Sequence, residues 1–356
     1  MSQSVRVHID GIIFSLQRQG GVSEVFKELQ LRLGRSGEDA TVSLEQPLQQ
    51  PCESADFPGL QWTHRPARLA ERYRACRSLE SPASIFHSSY YRLPAQRNVA
   101  SVVTVHDFAY ERCVGGLRAR VHRAQKNAAI RRAQAIICVS ESTRKDLIEL
   151  VGVRPDQQIQ VVYNGVSEAF SPLPTATATA TAALTSTPFV LFVGQRGRYK
   201  NFALAVAAMA YLPELELHCV GGGPVHANEL AAALSGVRAR IKHLGAINQF
   251  ELNTLYNKAV CLIYPSTYEG FGIPVLEAMR AGCPVVSVAC NGVLEVGGQA
   301  LTVAEPDAQG IAHAVRRTME SETRAGIRRV GFVRASLFSW QRNFEQTMQL
   351  YKSLVA

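Results

Sequence analysis

Glu269 and Glu277 fall in the stretch Tyr268-Glu-Gly-Phe-Gly-Ile-Pro-Val-Leu-Glu-Ala-Met-Arg280, the first on a glycine-rich loop and the second just inside a helix. Gly270 and Gly272 let the backbone approach a ligand closely, and Pro274 suits the first turn of a helix that Val275, Leu276, Met279 and Arg280 continue. Two carboxylates around one pocket accept hydrogen bonds from the hydroxyls of a polyol, while the N–H groups of a helix start favour a phosphate or other anion. The plainer alternative is that Glu269 caps the helix and Glu277 is a solvated helical residue. A second group, Arg196, Arg198 and Lys200, lies on a strand-to-helix turn that opens at Gly194, where cations can neutralise a departing diphosphate. Three cations on an ordinary surface turn would read the same way. A third, His106-Asp107, follows the apolar run Ser101-Val-Val-Thr-Val105 and so belongs at the carboxyl end of a central strand. In isolation such a pair is more often a structural hydrogen bond.

The elements that must position these groups repeat one grammar. An apolar strand over 5–14 runs into Gln17-Arg-Gln-Gly-Gly, after which Val22, Val25, Phe26 and Leu29 recur at helical spacing. Further buried strands are expected at 84–87, 100–105, 135–139 and 160–163, alternating with helical pattern, as in a parallel sheet covered on both faces. Ser140 to Thr143 reads as the start of a short helix, with Ser140 or Ser142 as its N-cap. The segment 169–188, rich in Pro, Thr and Ala, has no periodic face to bury and reads as a linker. The pattern then restarts: strand 189–193, helix 202–211, strand 215–220, Gly221-Gly-Gly-Pro, strand 241–244, helix 251–259 and strand 260–264. Trp340, Phe344, Met348 and Tyr351 recur at helical intervals and make an amphipathic final helix over 339–354.

A chain of 356 residues supports two cores, and 47% hydrophobic with 19% charged residues describes a soluble globular protein. The beginning of the chain has no apolar signal-like region, and no window reaches the length of a membrane span, so the expected location is the cytoplasm. Eight cysteines, at 52, 76, 113, 138, 219, 261, 283 and 290, form no Cys-x-x-Cys pair and read as reduced thiols without a zinc site. The net charge of +9 is uneven: 22 Lys/Arg against 16 Asp/Glu over residues 1–165. Arg65, Arg68, Arg72, Arg74 and Arg77 form one cluster; Arg118, Arg120, Arg123, Lys126, Arg131 and Arg132 form another on a helix. Such clusters suit anionic partners such as the inner leaflet of a membrane or a pyrophosphate-linked acceptor, and they also occur as ordinary solvated faces. Nucleic acid is disfavoured because no binding module or aromatic platform accompanies the charge.

Read as one unit, the residues from Pro265 to Val286 resemble the signature of the retaining glycosyltransferases of family 4, of the bacterial surface-polysaccharide type. Four further segments agree in order: Gln19-Gly-Gly-Val22, Thr104-Val-His-Asp107, Cys138-Val-Ser-Glu-Ser-Thr143 and Val193-Gly-Gln-Arg-Gly-Arg-Tyr-Lys-Asn201. The resemblance implies an α/β chain of GT-B architecture, two Rossmann-like doubly wound domains facing a central cleft, with the final helix crossing back to the first domain. The implied boundaries are 1–168 for the acceptor domain, 169–188 for the linker, 189–336 for the nucleotide-sugar domain and 337–356 for the crossing helix.

The resemblance also assigns roles. His106 approaches the donor sugar and Asp107 orients the histidine or the acceptor; Glu269 lies nearer the transferred sugar, and Glu277 accepts from the ribose hydroxyls. Gly20 and Gly21 begin a helix that closes over the diphosphate. Gly194, Arg196 and Lys200 meet its charge, with Arg198 in reserve because relatives carry adjacent Arg-Lys where this chain has Tyr199-Lys200; the backbone of Gly270, Phe271, Gly272 and Ile273 lies beside the sugar. The chain carries no Asp-x-Asp run, so transfer without a metal or other cofactor is implied. The implied donor is a nucleotide sugar, GDP-mannose first and a UDP- or dTDP-sugar second. The implied acceptor is a saccharide or a polyprenyl-pyrophosphate-linked oligosaccharide. A silent sugar-nucleotide-binding subunit is the non-enzymatic alternative.

Overall fold

A computed structural model describes residues 5–17, 20–46, 59–77, 85–96, 99–174, 187–230, 233 and 235–356. Gln19, Cys52, Ser84 and residues 175–186 of the expected linker lie outside the described residues. The chain divides into two units, residues 1–165 with 340–356, and residues 166–339.

In the first unit the strands are β1 (Val7–Asp10), β2 (Ala40–Gln46), β3 (Gln61–Pro66), β4 (Ile85–Ser88), β5 (Ala100–Val105), β6 (Ala135–Cys138) and β7 (Gln158–Val161). They form one parallel sheet in the order β3-β2-β1-β4-β5-β6-β7. The order reverses between β1 and β4, the place where open α/β sheets leave a crevice. The expected strand over 5–14 is corrected: β1 stops at Asp10, and Ile12–Leu16 is a short helix. The Asp10 carboxylate accepts the Ile12 N–H and the Ser89 hydroxyl accepts the Ile13 N–H, so local side chains claim the donors a longer strand would have used. The helix Gly21–Ser36 turns Phe26, Leu29 and Leu33 inward, where they meet Met348, Leu350 and Tyr351 of the final helix, Trp340–Val355. That helix therefore belongs to the core of the first unit.

In the second unit β8 (Phe189–Val193), β9 (Glu216–Val220), β10 (Ile241–His243), β11 (Leu262–Tyr264), β12 (Val285–Val288) and β13 (Leu301–Ala304) form a second parallel sheet, ordered β10-β9-β8-β11-β12-β13. Its switch point lies between β8 and β11, which pair at Leu191 and Leu262. Phe192, Leu217, Ile263 and Val286 from four adjacent strands share a core with Val206, Ile311 and Val315 from the covering helices.

The start of the expected linker is packed rather than free. Phe170 is buried against Tyr256, the Ser171 and Leu173 N–H groups donate to Asn253 and Asn257, and Arg280 donates to the Phe170 carbonyl. At the other boundary Phe338 stays with the second unit, edge-on to Phe271 at 5.9 Å. Among the described residues no helix is long and apolar enough to cross a membrane.

Candidate active site

β8 ends at Val193, and Gly194, at φ +126°, turns the chain out of the sheet. A single 3-10 turn over Arg198–Lys200 and a left-handed Asn201 then lead into the helix Phe202–Ala208. This turn aims Lys200 across to the neighbouring strand. Its ammonium lies 2.5 Å from Glu269 Oε1 and 3.3 Å from the Tyr264 hydroxyl, beside the rings of Tyr199 and Tyr264. The two loops are also tied through backbone, since the Tyr199 carbonyl accepts from the Thr267 N–H at 2.8 Å and from its hydroxyl at 3.2 Å. Burial, with the Glu269 carboxylate beside it, pushes the Tyr264 phenol well above its ordinary pKa, so that hydroxyl stays protonated.

Downstream, Phe271 is buried, and Gly272 at φ +101° turns the chain into the helix Ile273–Ala281, with Pro274 in its first turn. Ile273 opens that helix half-buried. Glu277 is half-buried one turn further on, where the buried Tyr256 hydroxyl donates to its Oε2 at 3.0 Å. Glu277 is thus neither a free surface residue nor a cap, and Glu269 does not cap the helix: it is buried in the pair with Lys200. The loop depends on a residue that motif reading passed over. A Cβ on Gly292 would lie 2.2 Å from the Glu269 carbonyl oxygen and 3.1 Å from the Gly270 carbonyl carbon. The signal in the sequence was a glycine directly after Cys290-Asn291, too common to single out.

Arg196 is engaged elsewhere. Its side chain is only 3% exposed; Nε donates to Glu229 at 2.7 Å, Nη1 to the Gly221 carbonyl at 2.9 Å, and Nη2 to the carbonyls of Gly223 and Pro224 at 2.8 and 2.7 Å. Gly221, Gly222 and Gly223 all adopt left-handed φ, which turns their carbonyls onto the guanidinium. The structure therefore makes Arg196 the pin of the turn after β9. Arg198 is exposed, and among the described residues its guanidinium makes no hydrogen bond.

In the first unit His106 and Asp107 follow β5 directly, at its carboxyl end. His106 is half-buried, edge-on to Phe26 at 6.2 Å, and its buried Nε2 has no hydrogen-bond partner among the described residues. Burial lowers its pKa to about 4 against the opposing pull of Asp107, so the ring is neutral. Asp107 Oδ1 accepts the Ala109 N–H at 2.9 Å, and the Asp107 carbonyl accepts from Lys126 at 3.1 Å. Lys126, placed by its sequence among surface cations, is corrected: it is buried, paired with Glu111 at 2.6 Å and set over Phe108 at 4.0 Å. The fold turns it toward Phe108 and Glu111, while Arg118, Arg120, Arg131 and Arg132 on the same helix are exposed. Gly20 precedes the helix Gly21–Ser36, its carbonyl accepting from the Glu24 N–H and the Ser23 hydroxyl. Ser140 caps the helix Glu141–Leu150 by accepting the Thr143 N–H at 2.9 Å.

Comparison with known proteins covers both units. The model of Glycosyltransferase Family 4 matches residues 19–170, and that of Glycosyl transferases group 1 matches residues 179–331. The chain is 29% identical over 284 residues to O-antigen chain mannosyltransferase B of Escherichia coli, spanning 76% of this chain and 74% of that one. Sucrose-phosphate synthase from Thermosynechococcus elongatus superposes with a TM-score of 0.80 at 21% identity, over 99% of each chain. Anabaena HepE in complex with UDP-glucose does so with a TM-score of 0.75 at 16% identity, over 98% of this chain and 99% of that one. With two Rossmann-like parallel sheets and glycosyltransferase matches over both, the chain belongs to the glycosyltransferases of GT-B architecture.

Proposed function

We propose that this glycosyltransferase moves a hexose from a nucleotide sugar to a saccharide or lipid-linked saccharide acceptor, with retention of configuration and without a metal. Mannose from GDP-mannose is the first assignment, supported by the likeness to the Escherichia coli mannosyltransferase. A uridine donor is the second reading, favoured by the likeness to HepE with its UDP-glucose. The observation that carries the proposal is the Lys200 ammonium held at the β8–β11 switch point against Glu269 and Tyr264. A cation prepositioned there meets the negative charge that develops when the anomeric C–O bond to phosphate breaks. The freed phosphate oxygen takes the proton of the acceptor hydroxyl as that hydroxyl attacks the same face of the sugar. Arg198, exposed beside Lys200, is the better second cation for the diphosphate, since Arg196 is engaged with Glu229 and the glycine turn. Glu277 takes the ribose hydroxyls, Glu269 and the 270–273 backbone the sugar, and His106 a sugar hydroxyl, with Gly20 and Gly21 beside the diphosphate. The basic clusters of the first unit face an anionic leaflet that presents the acceptor.

Thermal-shift titration with GDP-, UDP- and dTDP-sugars tests this, because a ligand bound only by the folded chain raises its stability as RT ln(1 + [L]/Kd). One nucleotide class is expected to stand out, and Glu277→Ala to abolish its shift. Equal responses to all three would defeat the donor assignment; no donor turnover with any acceptor would defeat the proposal.

A further inference from the structure

The segment after β3 gathers arginines around a concave space. Arg65, Arg68, Arg74 and Arg77, with Ala75 and Ala95, line a recess of about 550 Å³ in the first unit, and among the described residues no carboxylate lines it. The recess rests on a buried ionic frame. Arg92 is fully buried, donating to Asp10 at 3.0 Å, to Glu71 at 2.9 Å and to the Arg74 carbonyl at 3.0 Å. Glu71 also takes Arg68 through Nε at 2.9 Å and Nη2 at 2.6 Å, and lies 3.9 Å from Arg77. Burial would raise the Glu71 pKa, but the bonds from Arg68 and the charge of Arg92 bring it down to about 2, so the frame stays ionised. Further bonds fix the lining itself: Arg74 Nε donates to the Leu69 carbonyl and Arg77 Nη2 to the Pro66 carbonyl, both at 3.0 Å. The backbone is held by the Cys76 N–H on Leu93 and the Ala95 N–H on Cys76.

Arg68 and Arg77 share Glu71, yet the four guanidinium groups outnumber that carboxylate, and a compact multivalent anion at the hollow matches the excess positive charge. Their planar forks match phosphate oxygens in pairs, which a flat acidic surface would not exploit from a concave site. Two exposed apolar side chains adjoin the cluster, Leu69 at 88% and Tyr73 at 50% exposure, and Arg72 stacks over Tyr73 at 4.9 Å. A rim of that kind suits a hydrocarbon chain leaving the charged head.

We infer that this recess binds the phosphate or diphosphate head of an amphiphile, with Arg65, Arg68, Arg74 and Arg77 on the head and Leu69 and Tyr73 along the start of its chain. The inference rests on the proposed function for its purpose, the holding of a lipid-linked acceptor, and adds the place where the acceptor's phosphate is read.

The test titrates the full chain, as the Lys200→Ala protein so that the donor loop contributes nothing, with farnesyl diphosphate and with inorganic pyrophosphate by calorimetry, and with phosphatidylglycerol vesicles by flotation. Farnesyl diphosphate is expected to bind saturably, with affinity falling about tenfold in Arg74→Gln and further in Arg65→Gln/Arg74→Gln, each charge-assisted contact being worth about that factor. Tighter binding of farnesyl diphosphate than of pyrophosphate supports a lipid-linked head, equal binding supports a free diphosphate, and binding of vesicles alone, lost in the double variant, supports a membrane headgroup. Absence of binding to all three probes, or binding indifferent to the substitutions in protein of unchanged circular dichroism, overturns the inference. Nucleotide-sugar binding by the Arg65→Gln/Arg74→Gln protein with Lys200 intact reports on the proposed function separately, since its loss or retention does not depend on the recess.

Discussion

In the first unit the carboxyl ends of β1 and β4 and the strand beside them run into buried polar side chains. Asp10 is locked to Arg92, and His87 bridges the Tyr351 hydroxyl at 2.5 Å and Thr104 at 2.8 Å. In the second unit the ends of β8 and β11 run instead into glycine-bearing loops, and the ion pair there is only partly desolvated, with the Lys200 side chain 16% and the Glu269 side chain 9% exposed. One unit spends its polar groups on holding itself together, and the other keeps a pair able to exchange partners with a ligand. Burial is what separates the two cases: a fully desolvated ion or imidazole must keep its partner, whereas a partly wet one can trade it.

The largest effect expected from this difference is acid instability of the first unit. Burial holds His87 down to about 3 and His8 and His122 down to about 4, with Arg65 adding to the effect on His8 and Lys126 and Arg72 to that on His122. Their folded pKa values lie below the unfolded value, so as pH falls the unfolded chain takes up protons first. The stabilisation is complete above about 6.5 and is lost on the way down to about 4, at roughly 1.4 kcal/mol per pH unit for each histidine. Both tryptophans, Trp62 and Trp340, lie in the first unit, so their fluorescence during urea unfolding isolates it. A midpoint unchanged between about pH 7 and about pH 5 would break the comparison.

Next in size is Lys200→Ala, expected to lower donor turnover by about 10²- to 10³-fold, the range typical for loss of one group that stabilises developing charge. Turnover within a few-fold of the parent would remove Lys200 from the chemistry. Gly292→Ala should cost about 1–3 kcal/mol through the clash with the Glu269 carbonyl and lower activity with it, read as a drop in the melting temperature and in turnover together. The smallest and most discriminating effect is a split between two arginines. Arg196→Gln should destabilise the second unit by about 1–3 kcal/mol, because four backbone carbonyls and Glu229 lose their donor. Arg198→Gln should leave the melting temperature unchanged and raise the donor KM about tenfold. The opposite pattern would return the diphosphate to Arg196.

Much of the fold was legible because its central strands are nearly continuous apolar runs, as at 100–105 and 189–193, where both faces are covered. Not every strand was: the edge strand β3 reads Gln-Trp-Thr-His-Arg-Pro and is half-exposed, which leaves no alternation to detect, and β13, at the edge of the second sheet, is a four-residue strand with one exposed valine. Within the site, Glu269, Glu277 and Lys200 were visible as residue types on glycine turns. Gly292, Tyr256 and the diversion of Arg196 were invisible, since each follows from a contact with a segment distant in the chain.

Residue order alone established two rounds of strand, glycine turn and helix, the positions of the chemical groups at the strand ends, and the surplus of arginine in the first half, because these follow from local periodicity and composition. Only the folded chain decided that β11 lies beside β8, bringing Lys200 onto Glu269, that Lys126 turns inward while Arg198 stays in water, and that four arginines share one hollow. Strand order in a parallel sheet is settled by which apolar faces the crossover helices can cover together, a long-range packing choice that no local pattern encodes.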